Sequence, residues 1–431
     1  MVEVPHHHGL TPADLDPLLA THLGSGWRCS SVEATSAGNS QETWFVHCVK
    51  SDSTRDLVLR RSADGGTLEW SSRGDEVTAM AEASRSGLPV PSIVWWDADG
   101  GGLARPYIVM DRMPGTSAQM RDPIRASRTA VDLGHLLAQL HRRTHAETSS
   151  GSSTDRELAA WTTRVTALHR RPSLLDALVT WLHRERAVVT DPGESLLWGD
   201  PGPHNVLTDS TGGVTATLDW ELSRRGNPLE DLGSARWSLL SHIDPTSLTN
   251  AYRSNVDLEP DARSIAWFEV LAGVSRTVML LNGLEALHRG SSRNLNVLAL
   301  AMVMVPANLV NAASIAWGIF PSASASDRHA DPPLAPPDVD VELASRLTSD
   351  RDTVSTYTVN PRLLEALQTD LPTGVGPSFA TDSATVKTDV LNDSQIANLI
   401  EATVAAQRSW PRLVALLGPT VGFHGPRRLD S

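Results

Sequence analysis

Two aspartates and an asparagine set around a short hairpin constrain this chain more than any other feature. Asp200 stands in the run Leu197-Trp198-Gly199-Asp200-Pro201-Gly202-Pro203-His204-Asn205-Val206-Leu207, with Asn205 five residues after it. Asp219, in Leu218-Asp219-Trp220-Glu221, comes fourteen residues beyond the asparagine. Between them Asn205-Val206-Leu207 and Val214-Thr215-Ala216-Thr217-Leu218 flank Gly212-Gly213, the pattern of a strand, turn and strand. Such a hairpin fixes the separation of Asn205 and Asp219. Taken singly, each residue has a plain alternative, Asn205 as a turn residue and Asp219 as a strand-end cap. The order and spacing of all three carry the meaning.

The rest of the chain reads as two units of unlike character. Residues 1–27 hold a capped helix, with Thr11 as N-cap, Pro12 in the first turn, Asp14 three residues on and Gly24 as the stop. Residues 28–115 are β-rich, with strand patterns at 43–49, 57–60 and 107–110 and one helix at 76–86. Residues 116–320 are helical, with Leu133, Leu136, Leu137 and Leu140 on one stripe, and they enclose the hairpin. Five prolines mark 321–340 as a linker, and 341–431 reads as a helical tail of unknown role. The expected fold class is α+β, a small β-rich lobe followed by a larger helical lobe, with a cleft at the 110–115 crossing.

Composition then excludes several functions. With 37 basic and 50 acidic residues the net charge is −13, which argues against a phosphate-tracking nucleic-acid binder and a basic membrane-surface protein. The uncharged stretch 295–320 is broken by Pro306 and carries Asn296, Asn308 and Asn311, so a pair of buried helices is expected rather than a bilayer span. Two cysteines, Cys29 and Cys48, form neither a disulfide framework nor a zinc cluster, which fits a reducing cytoplasm. Residues 1–8 have no apolar core, so no signal peptide is expected, and His6-His7-His8 reads as a floppy terminus rather than a metal site. Only Lys50 and Lys387 are lysines, so a site needing an ammonium has almost no source of one.

The chemistry that uses an Asp, an Asn and a second Asp at this spacing is phosphoryl transfer. A loop carboxylate, Asp200, would stand beside the attacking hydroxyl as general base. Asn205 and Asp219 would offer hard oxygens to Mg²⁺ bridging the phosphates of ATP. The hairpin would pre-order those ligands.

Further residues carry a resemblance. Gly199-Asp200 with Asn205, and Leu218-Asp219-Trp220-Glu221, match the two motifs of the aminoglycoside phosphotransferase family, small-molecule kinases with a protein-kinase-like fold. Gly87-Leu88-Pro89-Val90-Pro91, Tyr107-Ile108-Val109-Met110 to Pro114-Gly115, and Gly226-Asn227-Pro228-Leu229-Glu230-Asp231-Leu232-Gly233 are similar to the branch attached to acyl-CoA dehydrogenases. The resemblance covers residues 15–320. It implies a phosphate loop with Gly38 and Ser40, Val58 lining adenine, Arg60 at the phosphates, Glu76 anchoring that basic residue, and a hinge from Met110 to Met113. Asp231 would support the catalytic loop through backbone N–H groups. There are two departures from the family pattern: Trp198 replaces the usual His, and Arg60 the usual strand lysine, whose geometry a guanidinium does not reproduce.

These readings lead to an ATP- and Mg²⁺-dependent phosphotransferase acting on a hydroxyl of a small molecule. Glu221 and Glu230 would suit a cationic aminoglycoside, whereas the branch resemblance implies a hydroxylated metabolite or hydroxyacyl compound. No nucleic-acid or membrane partner is expected. The competing reading is a catalytically silent nucleotide-binding scaffold.

Overall fold

A computed structural model describes residues 9–35, 41–62, 72–146, 151–169, 171–240, 242–256, 261–291, 295–317, 357–359 and 389–391. It opens with α1 (Pro12–His22), begun by a reciprocal cap in which the Thr11 backbone N–H donates to the Asp14 carboxylate at 2.8 Å. An antiparallel five-stranded sheet follows, built from β1 (Arg28–Ala34), β2 (Gln41–Lys50), β3 (Ser53–Ser62), β4 (Ile93–Asp97) and β5 (Tyr107–Asp111). Its spatial order is β1-β2-β3-β5-β4, and α2 (Arg73–Arg85) lies in the connection from β3 to β4. Ser72 caps α2 by accepting from the Asp75 N–H.

Strand alternation divides the sheet between two cores. Leu57, Leu59, Trp44, Val46 and Val109 bury one face beneath Leu15 and Leu19 of α1. The other face gives Ile108 and Met110, with Val58 alongside, to a larger core shared with Met80 of α2 and the helical lobe. The two thiols face each other across β1 and β2 in the pair Cys29↔Cys48, both free and buried.

The helical lobe begins after β6 (Thr116–Ser117) with α3 (Pro123–Thr144), α4 (Ser153–Ala167) and α5 (Ser173–Glu185). Leu133, Leu137 and Leu140 of α3 are fully buried, as their spacing predicts. The short strands β7 (Ser195–Leu197), β8 (Val206–Thr208), β9 (Val214–Thr217) and β10 (Arg224–Gly226) frame the segment that holds Asp200, Asn205 and Asp219. β8 and β9 form the expected hairpin, and β10 pairs back on β7. Helices α6 (Pro228–Leu239), α7 (Thr246–Arg253), α8 (Ala262–His288) and α9 (Leu295–Trp317) close the lobe.

The expected pair of helices over 295–320 is one helix instead. α9 runs through Pro306, and Val297, Ala301, Val305, Leu309 and Ala312 line its buried side at helical spacing. Proline removes one backbone donor, but packing against α8 and the buried stripe on both sides of Pro306 hold the helix together across that gap. By length and composition α8 is apolar enough to cross a membrane, and 72% of that window is buried inside the molecule. Within 341–431, read as helical, the described residues form two short paired strands, β11 (Tyr357–Val359) and β12 (Asp389–Leu391). The linker 321–340 and the histidines at 6–8 lie outside the described residues.

Candidate active site

The loop bearing Asp200 is held from beneath. Asp231, fully buried on α6, accepts the Trp198 N–H at 2.7 Å and the Gly199 N–H at 2.9 Å. Its Oδ2 also meets His141 Nε2 at 3.1 Å, and the other ring nitrogen of His141 meets the Tyr252 hydroxyl at 2.9 Å. An imidazole therefore does support this loop, contributed by α3. The Trp198 indole instead donates to the Leu218 carbonyl at 2.9 Å and stacks on Trp220 at 5.4 Å, tying the two motifs together from inside the core. Gly199 has φ +91°, and a Cβ there would sit 2.3 Å from the Leu222 carbonyl oxygen. Only glycine gives both the conformation and the approach.

Asp200 projects from this loop into a ring of donors. Its Oδ2 takes His204 Nε2 at 2.9 Å and Asn205 Nδ2 at 3.2 Å, and its Oδ1 takes Arg276 Nη2 at 2.6 Å. Burial alone would raise this carboxyl. The charges of His204 and Arg276, with the hydrogen bonds from His204 and Asn205, outweigh burial and hold it well below the usual carboxylate range. Asp200 is thus an anion at neutral pH. The Asn205 amide nitrogen also donates to the Asp200 backbone carbonyl at 2.9 Å. With the nitrogen committed there, the amide oxygen is the end available to a cation. The Asn205 carbonyl accepts the Leu218 N–H at 2.8 Å, which joins the two ends of the hairpin beside Asp219.

Asp219 has φ 59°, in the left-handed region that a non-glycine residue rarely adopts. Its Oδ1 accepts Arg60 Nη2 at 2.5 Å, while Arg60 Nη1 reaches Glu76 Oε1 at 2.9 Å. Glu76 is 1% exposed, which rules out a solvated helix glutamate. Its second oxygen bonds Arg73, and Arg73 Nη2 stands 3.6 Å from Glu221, which also accepts from Gln41. Strand, helix and hairpin therefore meet in one charged network. Desolvation would lower Arg60, but Asp219, Glu76 and Glu221 together raise it above its ordinary value, so it stays charged.

Arg61 lies on the opposite face of β3, bonding Glu42 at 2.7 Å with its guanidinium over the Trp44 ring at 4.8 Å. Val58 is half-buried on the Arg60 side and pairs with Met110. Met110 corrects the hinge expectation. It is 4% exposed and sits inside β5 between β3 and β4, so its backbone lies within the ladders. The next two N–H groups are spent on Ser92 and Asp56 carbonyls. Met113, half-buried just beyond β5, is the residue of that pair outside the ladders. Gly38 and Ser40 lie outside the described residues.

The structure adds residues that the spacing did not reveal. Arg276 is the only charge on α8 between Glu269 and Glu285, and that isolation in an apolar run was the available signal. His204 and Arg73 lie only four and three residues from the partners they bond, Asp200 and Glu76, and that local spacing was the signal in the sequence. Asn205 and Asp219 supply an amide oxygen and a carboxylate, the hard donors that suit Mg²⁺ alongside phosphate oxygens and water. Among the described residues no cluster of three or more His, Cys, Asp or Glu side chains forms a metal site of its own.

The chain is 26% identical over 226 residues to acyl-CoA dehydrogenase family member 10 of Mus musculus, covering 49% of this chain and 20% of that protein. It is 28% identical over 249 residues to family member 11 of Rattus norvegicus, covering 54% and 31%. The chain thus spans less than a third of the length of these curated relatives. The crystal structure of choline kinase LicA from Streptococcus pneumoniae superimposes with a TM-score of 0.52 at 14% identity, covering 71% of this chain and 99% of that one. That likeness establishes the kinase-like two-lobed fold. The family model described as "Phosphotransferase enzyme family" matches residues 31–268, more than half of the sequence. The chain therefore belongs to the phosphotransferase enzyme family.

Proposed function

We propose that this chain transfers the γ-phosphoryl group of Mg²⁺-bound ATP to a hydroxyl group of a small molecule, with Asp200 as general base and Asn205 and Asp219 as metal ligands. One observation carries the reading. Asn205 bonds Asp200 and accepts the N–H of Leu218, the neighbour of Asp219, and Asp219 leads through Arg60 to Glu76, a series that crosses from the helical lobe to the sheet. Bound Mg²⁺-ATP would supply the transferable group and a positive charge against its phosphate oxygens. Val58 and the Met113 backbone would hold the adenine, and Arg60 the phosphates. Glu76 keeps Arg60 extended toward the cleft. Gly38 and Ser40, which the family resemblance assigns to the phosphates, would complete the proposed nucleotide contacts.

Asp200 Oδ2 already takes two donors and Oδ1 only one, so Oδ1 has the site left for an acceptor hydroxyl. The carboxylate would orient that hydroxyl and take its proton as the oxygen attacks phosphorus. The acidic lining that would favour a cationic aminoglycoside is missing at the two glutamates considered for it. Glu221 is tied to Arg73 and Gln41, and Glu230 pairs with Arg224. A hydroxylated metabolite or hydroxyacyl compound fits this arrangement better. A cytoplasmic setting is part of the proposal, supported by the two free thiols placed opposite each other.

A catalytically silent scaffold has one observation in its favour, the arginine at the strand position where the family resemblance implies lysine. The Asp200→Asn variant separates the readings. Under the proposal it binds Mg²⁺-ATP within about twofold of wild type yet transfers phosphate about 10²–10⁴-fold more slowly, measured against hydroxylated metabolites and aminoglycosides. Equal turnover in the two proteins would remove Asp200 from the mechanism. A wild type that binds ATP but phosphorylates none of them would favour the scaffold.

A further inference from the structure

We propose that Arg276 is a positioning residue for phosphoryl transfer, holding Oδ1 of Asp200 from α8 so that the carboxylate faces the acceptor hydroxyl. The inference rests on the phosphotransferase reading above. Within the catalytic loop, Asp200 is restrained only at Oδ2, by His204 four residues on and Asn205 five residues on. Those contacts alone leave the other oxygen unspecified. Arg276 reaches it at 2.6 Å from a separate helix.

Arg276 is itself fixed by a built seat on α6. Its Nη2 donates to Ser238 Oγ at 2.9 Å and to Ser234 Oγ at 3.1 Å, one helical turn apart. The Ser238 hydroxyl proton is committed to the Ser234 carbonyl at 3.0 Å, so that oxygen faces the guanidinium as an acceptor. Gly202 lets the loop come this close. A Cβ there would stand 2.6 Å from the His204 ring and 3.0 Å from Ser238 Cβ. Catalytic loop, α6 and α8 thus converge on one guanidinium, 16% exposed at its side chain. All three contacts share the two hydrogens of Nη2, and the N–H groups on Nε and Nη1 are outside them.

The charged or titratable groups against Asp200 among the described residues are His204 from its own loop and Arg276 from α8. α6 contributes Ser234 and Ser238 through the guanidinium. Removing the Arg276 guanidinium therefore frees Oδ1 to reorient, a change local to this carboxylate that should register at Asp200 while the fold stays intact.

The test uses the full chain with Arg276→Met and Arg276→Lys. Aspartate ¹³Cγ NMR follows Asp200, assigned as the resonance missing from Asp200→Asn, and thermal unfolding checks that each variant is folded. At pH 7 the resonance in Arg276→Met should shift from its wild-type position and broaden as Oδ1 samples more than one orientation, with kcat down about ten- to hundredfold and nucleotide affinity within about twofold. Arg276→Lys should return the resonance toward its wild-type position and recover part of kcat, since it restores the charge without the fork. An Asp200 resonance at pH 7 identical in Arg276→Met and wild type overturns the proposal. So does an unchanged kcat. If the resonance moves but wild type phosphorylates no acceptor, the phosphotransferase reading has failed while the hold on Asp200 stands.

Discussion

Arg60 and Arg61 are adjacent and chemically identical, and the pleat of β3 sends them to different work. Arg60 bridges Glu76 and Asp219, whereas Arg61 lies over Trp44 and bonds Glu42 on the far side. Arg60→Ala should cut phosphotransfer about ten- to hundredfold, the worth of one charge-assisted phosphate contact. Arg61→Ala should leave transfer within about twofold and cost about 1 kcal/mol of stability, because that pair is only partly shielded from water. Steady-state rates and urea unfolding of both variants check this, and equal loss of rate would place the two side chains on one face. Asp200 gives a second prediction through its lowered pKa. A carboxyl depressed by folding adds stability above its unfolded value of about 3.9 and loses it as pH falls through the folded value. Asp200→Asn should accordingly be less stable than wild type at pH 7, and the gap should narrow below about pH 4. A gap constant across that range would mean that the charge of Asp200 is not what its partners hold.

At the scale of elements, the hairpin and the strand register were legible because both rest on short-range rules. Glycines at 212 and 213 between β-like runs mark the turn, and alternation alone separates Val58 and Arg60 from Leu57 and Leu59. What was hidden depended on distant packing. The proline in α9 argued for a break, but helix continuity there is decided by the α8 surface it covers. β4 carries Trp95 and Trp96 with no alternation a reader could follow, and it becomes a strand by pairing with β5. Met110 looked like the end of a strand and proved to be inside the sheet. Arg276 could not be matched to Asp200 because 76 residues separate the two in sequence, and only the packing of α8 brings them together. The loop before the hairpin has its own local demand at Gly199. Gly199→Ala should cost about 2 kcal/mol or more, from the positive φ and the contact with the Leu222 carbonyl. Urea unfolding measures it, and an unchanged midpoint would show that the loop relaxes freely.

For the whole molecule, the two cores imply a division of labour. One lies between α1 and the outer face of the sheet, and the other runs from the inner face through the helical lobe. Every proposed site residue precedes the proline-rich stretch, so a chain ending at Ala330 should still bind Mg²⁺-ATP. A truncated protein that folds but no longer binds nucleotide would show that the C-terminal residues enter the site. The outer core also contains both thiols of the chain, facing each other across β1 and β2. Burial pushes Cys29 up to about 11 and Cys48 up to about 12, so neither offers appreciable thiolate near neutrality. Alkylation at pH 8 then has to wait for the sheet to open, and its rate becomes a clock for breathing of the N-terminal lobe alone, with no cysteine introduced and the helical lobe silent.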